Sequence, residues 1–354
     1  MSQAPERFDT TVICSDTDLG QTTPLDVVRN APTRWESASV LYTTVGSAVD
    51  LVRSLLYARN LRPEIVYVNS FFDPLFSILP FIIWRLNPLS RTRFVIAPRG
   101  EFGPAALLLG KEKKSAFLFL FRRMYSSQRI TWHASSPIES EDIHKTIGQQ
   151  VMVIVQEDNT VLPEEPLSPA RGGTTLRAAV LGRLVPVKGI EELLISLRNA
   201  RAQIVLDIFG PEEDAEYSKR CYVVAESLPP NITVTFKGSL DSSVVVQTLN
   251  GYDVLLHPTR GENFSHVIAE ALSASLPVMC ADVTPWTPRL KAGGGVVLPE
   301  CSVESWTSAV SAYAGLHPDE RLRRRLEAGR AYRLWRRSSA QRHHIFELVE
   351  ERHL

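Results

Sequence analysis

Short runs of β-branched and other apolar residues recur along this 354-residue chain, separated by segments with helical spacing, and that alternation limits the folds open to it. In the first half the runs are TTVIC (10–14), EIVYV (64–68), FVIA (94–97) and RITWHAS (129–135). In the second half they are AAVLG (178–182), QIVLDIFG (203–210), ITVTFKG (232–238), DVLLHP (253–258) and PVMCAD (277–282). Between them lie helical stretches such as GIEELLISLRNA (189–200) and SHVIAEALSAS (265–275). Continuously apolar strands alternating with helices predict parallel sheets covered on both faces. The polar, proline-rich stretch LPEEPLSPARGG (162–173) separates the two series, which predicts two doubly wound α/β domains over about 1–165 and 174–335, with a helix over 336–354. The last segment, 330–354, is helical in pattern and basic, and its charge reads most simply as a solvated face.

Composition narrows the class. Apolar residues make up 44% and charged residues 22%, with a formal net charge of zero. That is an ordinary globular balance, and whole-chain electrostatics favour neither nucleic acid nor a membrane. The charge is uneven, however: between Arg85 and Arg129 ten Lys/Arg face two Asp/Glu. Cys14, Cys221, Cys280 and Cys301 are far apart and form no C-x-x-C pair, so no zinc site or disulfide framework is expected and a reducing cytosol fits. The opening MSQAPERFDTT lacks the basic-then-apolar profile of a signal peptide. The longest apolar stretch, LFSILPFIIW (75–84), is about half of a bilayer span and contains a proline, so no crossing is expected.

Two short segments carry candidate chemistry. In VLGRLVPVKGIEELL (180–194) a strand ends at Gly182, and Arg183 and Lys188 stand in the turn before the next helix. Ligands of open α/β sheets bind beyond the carboxyl ends of the strands. An Arg fork and a Lys point charge at such an edge suit a diphosphate, although two exposed basic residues in a loop would read the same way. In TRGENFSHVIAEALSASLPV (259–278) Glu262 precedes a helix that starts near Phe264 or Ser265, and Glu270 lies eight positions further on. The N–H groups at a helix start form an anion site. Glu262 is placed to accept from hydroxyls beyond a phosphate. Glu270, among Ile268, Ala269 and Leu272, is costly to bury unless bonded, and a ribose diol supplies two donors. Either carboxylate alone would also serve as a surface or capping charge.

Taken together, GRLVPVKG followed some 75 residues later by E-x7-E resembles the retaining glycosyltransferases of family 4, which have the GT-B architecture of two facing Rossmann-like domains with a cleft between them. PTRGENFSHVIAEALSASLPVMCADVTPW is similar to the bacterial exopolysaccharide and lipopolysaccharide branch of that family. YVNSFFDPLFS (67–77), IAPRGEFGPAALLLGKEKK (96–114) and WHASSPIESEDI (132–143) resemble that branch's acceptor domain. The resemblance implies that Arg183 and Lys188 bind the donor diphosphate and that Glu270 holds the nucleotide ribose. It also implies that Glu262 contacts the donor sugar, while Gly261, Asn263, Phe264 and Ser265 surround the phosphates. Asn69 and Arg99 fall on the acceptor side. The implied co-substrate is a UDP- or GDP-linked sugar, with no other cofactor and no metal. The implied reaction passes through an oxocarbenium-like transition state and retains anomeric configuration, with front-face attack assisted by the leaving phosphate. The implied acceptor is a lipid-linked glycan, the implied location is the cytoplasm or the inner membrane face, and the last helix is expected to return to the first domain.

The chain departs from that pattern in three places. The first strand-like run is followed by SDTDLGQTTP, with no Gly-Gly pair before residue 172, so the usual glycine-rich loop is missing or divergent. Ser265 stands where glycine is common. Arg99, in APRGE, stands where many relatives carry histidine, and reads equally as an acceptor or phosphate contact and as a structural salt bridge. His133 is either a cleft residue or a satisfied core histidine, and His266 either caps or packs. Trp286 reads as support for the donor loop. DTD (16–18) resembles a metal motif of another transferase fold, but polar loop residues explain it better. GKEKKSAFLFLFRRMY (110–125) reads as an interfacial amphipathic helix or as a core helix with a solvated basic end. A sugar-nucleotide epimerase and a catalytically idle nucleotide-binding relative are the competing functional readings.

Overall fold

The apolar runs become strands of three sheets, two of them wholly parallel, in a computed structural model, which describes residues 4–17, 23–86, 92–108, 111–124, 130–158, 160–340 and 342–352. Of the segments singled out above, residues 1–3, 18–22, 87–91, 109–110, 125–129, 341 and 353–354 lie outside the described residues. The chain divides into two units, one of Met1–Asn159 with His343–Leu354 and the other of Thr160–Arg342.

In the first unit, β1 (Thr10–Ser15), β2 (Thr33–Trp35) and β3 (Ala38–Thr43) form a small sheet of order β1-β3-β2, with β1 parallel and β2 antiparallel to β3. Helix α1 (Ala48–Asn60) follows, and then β4 (Ile65–Val68), β5 (Arg93–Ile96), β6 (Ile130–Ala134) and β7 (Met152–Val155) pair in parallel in that order. Between them run α2 (Leu79–Arg85), α3 (Pro104–Leu108), α4 (Lys111–Met124) and α5 (Pro137–Ile147). Alternation along β5 sends Phe94 and Ile96 to an aromatic core with Phe71, Phe81, Phe102, Phe121 and Trp132, and Val95 to the other face. Val95 and Ile154 there meet Ile345, Phe346 and Val349 of the chain's last helix.

The second unit holds a six-stranded, all-parallel sheet of order β10-β9-β8-β11-β12-β13. Its strands are β8 (Leu176–Leu181), β9 (Ile204–Phe209), β10 (Ile232–Gly238), β11 (Val254–His257), β12 (Val278–Ala281) and β13 (Gly295–Leu298). Ala178 and Val180 point to a face covered by α6 (Ile190–Ser196), α7 (Ala215–Glu226) and α11 (Val303–Ala314). Ala179 points to the face covered by α8 (Val245–Leu249), α9 (His266–Ser273) and α12 (Pro318–Ala340), and a short α10 (Thr287–Arg289) lies between β12 and β13. All of β11 and β12 is buried, as a strand covered on both sides must be. Strand order reverses between β8 and β11. That is the switch point where α/β sheets bind ligands.

The units divide after Asn159 and Arg342 rather than near 165 and 335, and α12 supplies the reason. Its basic face is not simply solvated: Arg336 donates to the Leu162 carbonyl at 3.0 Å, Tyr332 to that of Pro163, and Arg333 pairs with Glu165 at 2.6 Å. Arg325, 2% exposed, donates to the carbonyls of Ala170, Asn250 and Ser275. These bonds fasten the proline-rich connection to the second unit. The helical pattern of 330–354 is also interrupted: α12 stops at Ala340, and α13 (Ile345–Glu351) starts on a capping box between His344 and Glu347.

Replacing Arg325 with Met should leave three carbonyls without their donor and cost about 3 kcal/mol. Urea denaturation followed by tryptophan fluorescence checks this, and an unchanged midpoint would show that the tether contributes nothing.

Candidate functional site

Two loops leave the carboxyl ends of β8 and β11, and backbone geometry holds them side by side. Gly189 has φ 64°, and a Cβ there would stand 2.2 Å from the Pro258 carbonyl oxygen, so only glycine fits. Arg260 N–H donates to the Val187 carbonyl at 3.0 Å across the same gap. Lys188 closes a 3₁₀ turn over Pro186–Lys188 and runs its stem past Gly182.

This approach delivers the Lys188 ammonium to Glu262 Oε1. His257, the last residue of β11, has Nε2 at 3.1 Å from the same oxygen and 3.2 Å from Ser265 Oγ. A carboxylate only accepts, so a hydrogen bond here needs the proton on that Nε2, with Ser265 sharing it. Burial opposes the ionisation of Glu262, but hydrogen bonds and charge from His257 and Lys188 outweigh it and hold the carboxyl down at about 2. Lys188 and Glu262 are thus brought together as a half-buried pair.

Arg183 goes elsewhere. Its Nη1 binds both carboxylate oxygens of Glu213, at 2.8 and 2.6 Å, in a pair whose side chains are 46% and 43% exposed. An exposed pair of this kind holds weakly, about 0–1 kcal/mol, so Arg183 can exchange its partner.

The entry to α9 is built on an unusual residue. Ser265 has φ 63°, in the left-handed region that costs an L-residue roughly 1 kcal/mol, and its side chain makes no capping bond. This explains why glycine suits the position. Phe264 is buried against Trp286, whose indole N–H donates to the Phe264 carbonyl, and Trp335 packs on Trp286 with its ring tilted by 56° and centroids 4.9 Å apart. Trp286 therefore supports the loop, as its position after β12 suggests. Gly261 is exposed with open space around its Cα, and Asn263 is half-buried. Glu270 lies one turn inside α9 on the same face as His266. It is half-buried, and no donor among the described residues reaches its carboxylate. Burial raises its pKa against the opposing charge of His266.

In the first unit the two residues assigned to an acceptor bind each other. Arg99 Nε donates to Asn69 Oδ1 at 2.6 Å, Nη2 to Tyr67 Oη at 2.9 Å, and Nη1 pairs with Asp158. The salt-bridge reading of Arg99 therefore has a partner in Asp158, at the carboxyl edge of the β4-β5-β6-β7 sheet. His133 sits between Tyr67 Oη at 2.6 Å and the Gln156 carbonyl at 2.8 Å. Burial, helped by the Arg99 charge, pushes its pKa down to about 4. It is a satisfied core histidine.

Two carboxylates that the sequence did not single out tie the acceptor-like motifs together. Glu101 accepts from Phe71 N at 2.5 Å, Phe72 N at 3.1 Å and Ser70 Oγ at 2.8 Å. Glu139 accepts from Gly100 N at 2.8 Å and from Ser135 N and Oγ at 2.7 Å. NSFF, PRGE and ASSPIE are thus one hydrogen-bonded unit, which only the fold reveals. Asp16 of the DTD run is buried and binds Thr44 at 2.8 Å and Arg29 at 3.0 Å.

The fold is of the GT-B class, built from two Rossmann-like α/β units. Residues 167–328, within the second unit, match the family described as Glycosyl transferases group 1. Solved structures similar to the chain include sucrose-phosphate synthase from Thermosynechococcus elongatus, at 15% identity and TM-score 0.72, covering 96% of this chain and 88% of that one. Anabaena HepE in complex with UDP and glucose matches at 14% identity and TM-score 0.66, over 89% and 86% of the two chains. WaaG, a glycosyltransferase involved in lipopolysaccharide biosynthesis, matches at 13% and 0.57, over 94% and 95%. These likenesses establish the fold. A sequence search of curated proteins gives no match.

The Glu262 carboxyl is held at about 2 against an ordinary 4.5, so its ionised form stabilises the fold above pH 4.5 and that contribution drains away as pH falls towards 2. By linkage it amounts to about 3 kcal/mol. Glu262→Gln should flatten the loss of stability across that window in urea titrations at stepped pH. Identical slopes in both proteins would remove the ion-pair account.

Proposed function

We propose that this protein is a retaining hexosyltransferase that moves a sugar from a nucleoside-diphosphate donor, UDP- or GDP-linked, onto a glycan acceptor. The observation that carries the reading is Glu270, a half-buried carboxylate with no donor among the described residues, one turn inside the helix whose mouth holds Lys188 and Glu262. A carboxylate desolvated in this way is stabilised by a ligand that brings hydroxyls, and a ribose diol brings two. The group 1 family match supports the same reading, as does the UDP and glucose bound by Anabaena HepE.

The chemistry follows from charge. The bond from the anomeric carbon to the leaving phosphate oxygen breaks heterolytically, so negative charge grows on the diphosphate. Lys188, Arg183 and the first N–H groups of α9, with Gly261, Asn263, Phe264 and Ser265 around them, are the groups that would stabilise it. Both cations carry carboxylate partners, so a diphosphate exchanges Glu262 for itself on Lys188 and Glu213 for itself on Arg183. Glu262 is then free to accept from hydroxyls of the donor sugar. The acceptor hydroxyl attacks the same face, and a phosphate oxygen takes its proton. Asn69 and Arg99 would orient the acceptor through the guanidinium hydrogens that Tyr67, Asn69 and Asp158 leave over. No resident cofactor or metal enters this scheme.

The proposed acceptor class draws its support from α4. Among the described residues no helix is long and apolar enough to cross a membrane. Phe119 and Leu120 on α4 are nevertheless 72% and 52% exposed, beside Lys111, Lys113, Arg122 and Arg123. Apolar side chains ringed by cations suit an anionic membrane surface. This favours a lipid-linked glycan acceptor and a cytoplasmic enzyme peripheral to the inner membrane face, in cell-surface polysaccharide synthesis. WaaG's part in lipopolysaccharide biosynthesis supports that direction.

A panel of UDP- and GDP-sugars tests the activity: slow donor hydrolysis supports the transferase, C2 isomerisation an epimerase, and binding without turnover, even with acceptor, an idle relative. Glu270→Ala should weaken nucleotide binding about tenfold, the loss of one charge-assisted hydrogen bond or more, whereas Lys188→Ala should depress kcat by about 100-fold. Unchanged constants in both would end the donor-site assignment. Phe119→Ser with Leu120→Ser should reduce sedimentation with anionic phospholipid vesicles at least about tenfold, and equal sedimentation would remove the membrane reading.

A further inference from the structure

Every residue of β11 is buried, and Val254, Leu255 and Leu256 meet that demand with apolar side chains. His257 does not. An imidazole at a position where an apolar residue would fill the core is costly unless its polar atoms are used. The bonds it makes lead to the loop ahead of α9: Nε2 stands 3.1 Å from Glu262 Oε1 and 3.2 Å from Ser265 Oγ. Ser265 in turn occupies a backbone conformation that favours glycine, so its hydroxyl is the reason for a serine there. The two departures from local preference are joined by one hydrogen bond.

Glu262 Oε1 receives two donors, the Lys188 ammonium and His257. They are not equivalent. Lys188 lies in a loop on a flexible four-carbon stem, whereas His257 is fixed in the sheet and 2% exposed. A donor diphosphate carries more charge than one carboxylate and draws the ammonium away. Glu262 then keeps its place only through the imidazole.

We propose that His257 is the positioning residue of the donor site, holding the Glu262 carboxylate and the Ser265 hydroxyl at the mouth of α9 when Lys188 exchanges Glu262 for diphosphate. This rests on the donor-site reading above. His257 touches no reacting atom; it acts through Glu262, which meets the donor sugar. Nucleotide affinity depends on other groups, so the consequence falls on turnover.

The test uses the full chain, UDP and GDP as binding probes by calorimetry, and whichever UDP- or GDP-sugar the wild type turns over. His257→Leu should leave nucleotide Kd and donor KM within about threefold and lower kcat by about 30-fold, as small misplacements of a sugar-binding group do. His257→Gln, whose amide N–H can reach Oε1, should recover to within about fivefold of wild type, and His257→Asn, which is too short, should not. In a Glu262→Gln background His257→Leu should change kcat no further. If His257→Leu loses its cooperative thermal transition, the Gln and Asn variants decide. Turnover of His257→Leu within threefold of wild type overturns the proposal, as do equal Gln and Asn variants or additive losses with Glu262→Gln. A wild type that binds neither nucleotide and turns over neither sugar class overturns the donor-site reading itself, and the role of His257 with it.

Discussion

The parallel pairing of β8 with β11 at the reversal of the sheet is the constraint from which the candidate site follows. It sets two loops, about 75 residues apart in sequence, at one edge. Gly189 then lets one backbone approach the Pro258 carbonyl to a distance no side chain would allow. A Cβ at that position would push the loops apart and carry Lys188 away from Glu262. The Lys188–Glu262 pairing, and the share of the Glu262 pKa lowering that Lys188 adds to that of His257, therefore depend on one missing methyl group.

The chain's own carboxylates occupy places suited to external anions. Glu262 binds Lys188 and Glu213 binds Arg183 in the second unit, while Glu101 and Glu139 fill backbone N–H groups in the first. These cases differ in exposure, and exposure decides which can exchange. Glu139 is 1% exposed and accepts three bonds, so it is a permanent part of the scaffold. The Arg183–Glu213 pair is open to water and costs little to break. The Lys188–Glu262 pair lies between them, and His257 makes its rupture tolerable because Glu262 keeps a second donor.

Arginine does a different task at the back of the second unit. Arg321 and Arg325 are buried in α12 and bind carbonyls of the connection, of the end of α11 and of the residues after α8 and α9. A planar fork with five donors satisfies several carbonyls at once, which lysine would not. Basic character in this helix therefore reflects backbone carbonyls that need donors as well as contact with solvent.

The nine apolar runs, the alternation of strand and helix and the E-x7-E spacing around α9 were legible locally, because the periodicity of apolar residues and the position of a helix start are properties of neighbouring residues, whereas β2, β3, β7 and β13 were not read as strands. Ser265 stood out only because glycine is common there in the family that the chain resembles; its left-handed backbone came with the fold. What stayed hidden depended on partners distant in the chain. Nothing near Arg183 names Glu213, nothing near Arg99 names Asp158, and His257 looks like the end of a strand until the loop beyond it folds back. The connection after residue 160 reads as a linker until α12, some 170 residues later, closes on it. Short-range pattern sets which elements form; which charges meet is decided by sheet order and close backbone approach, which exist only once the chain has folded.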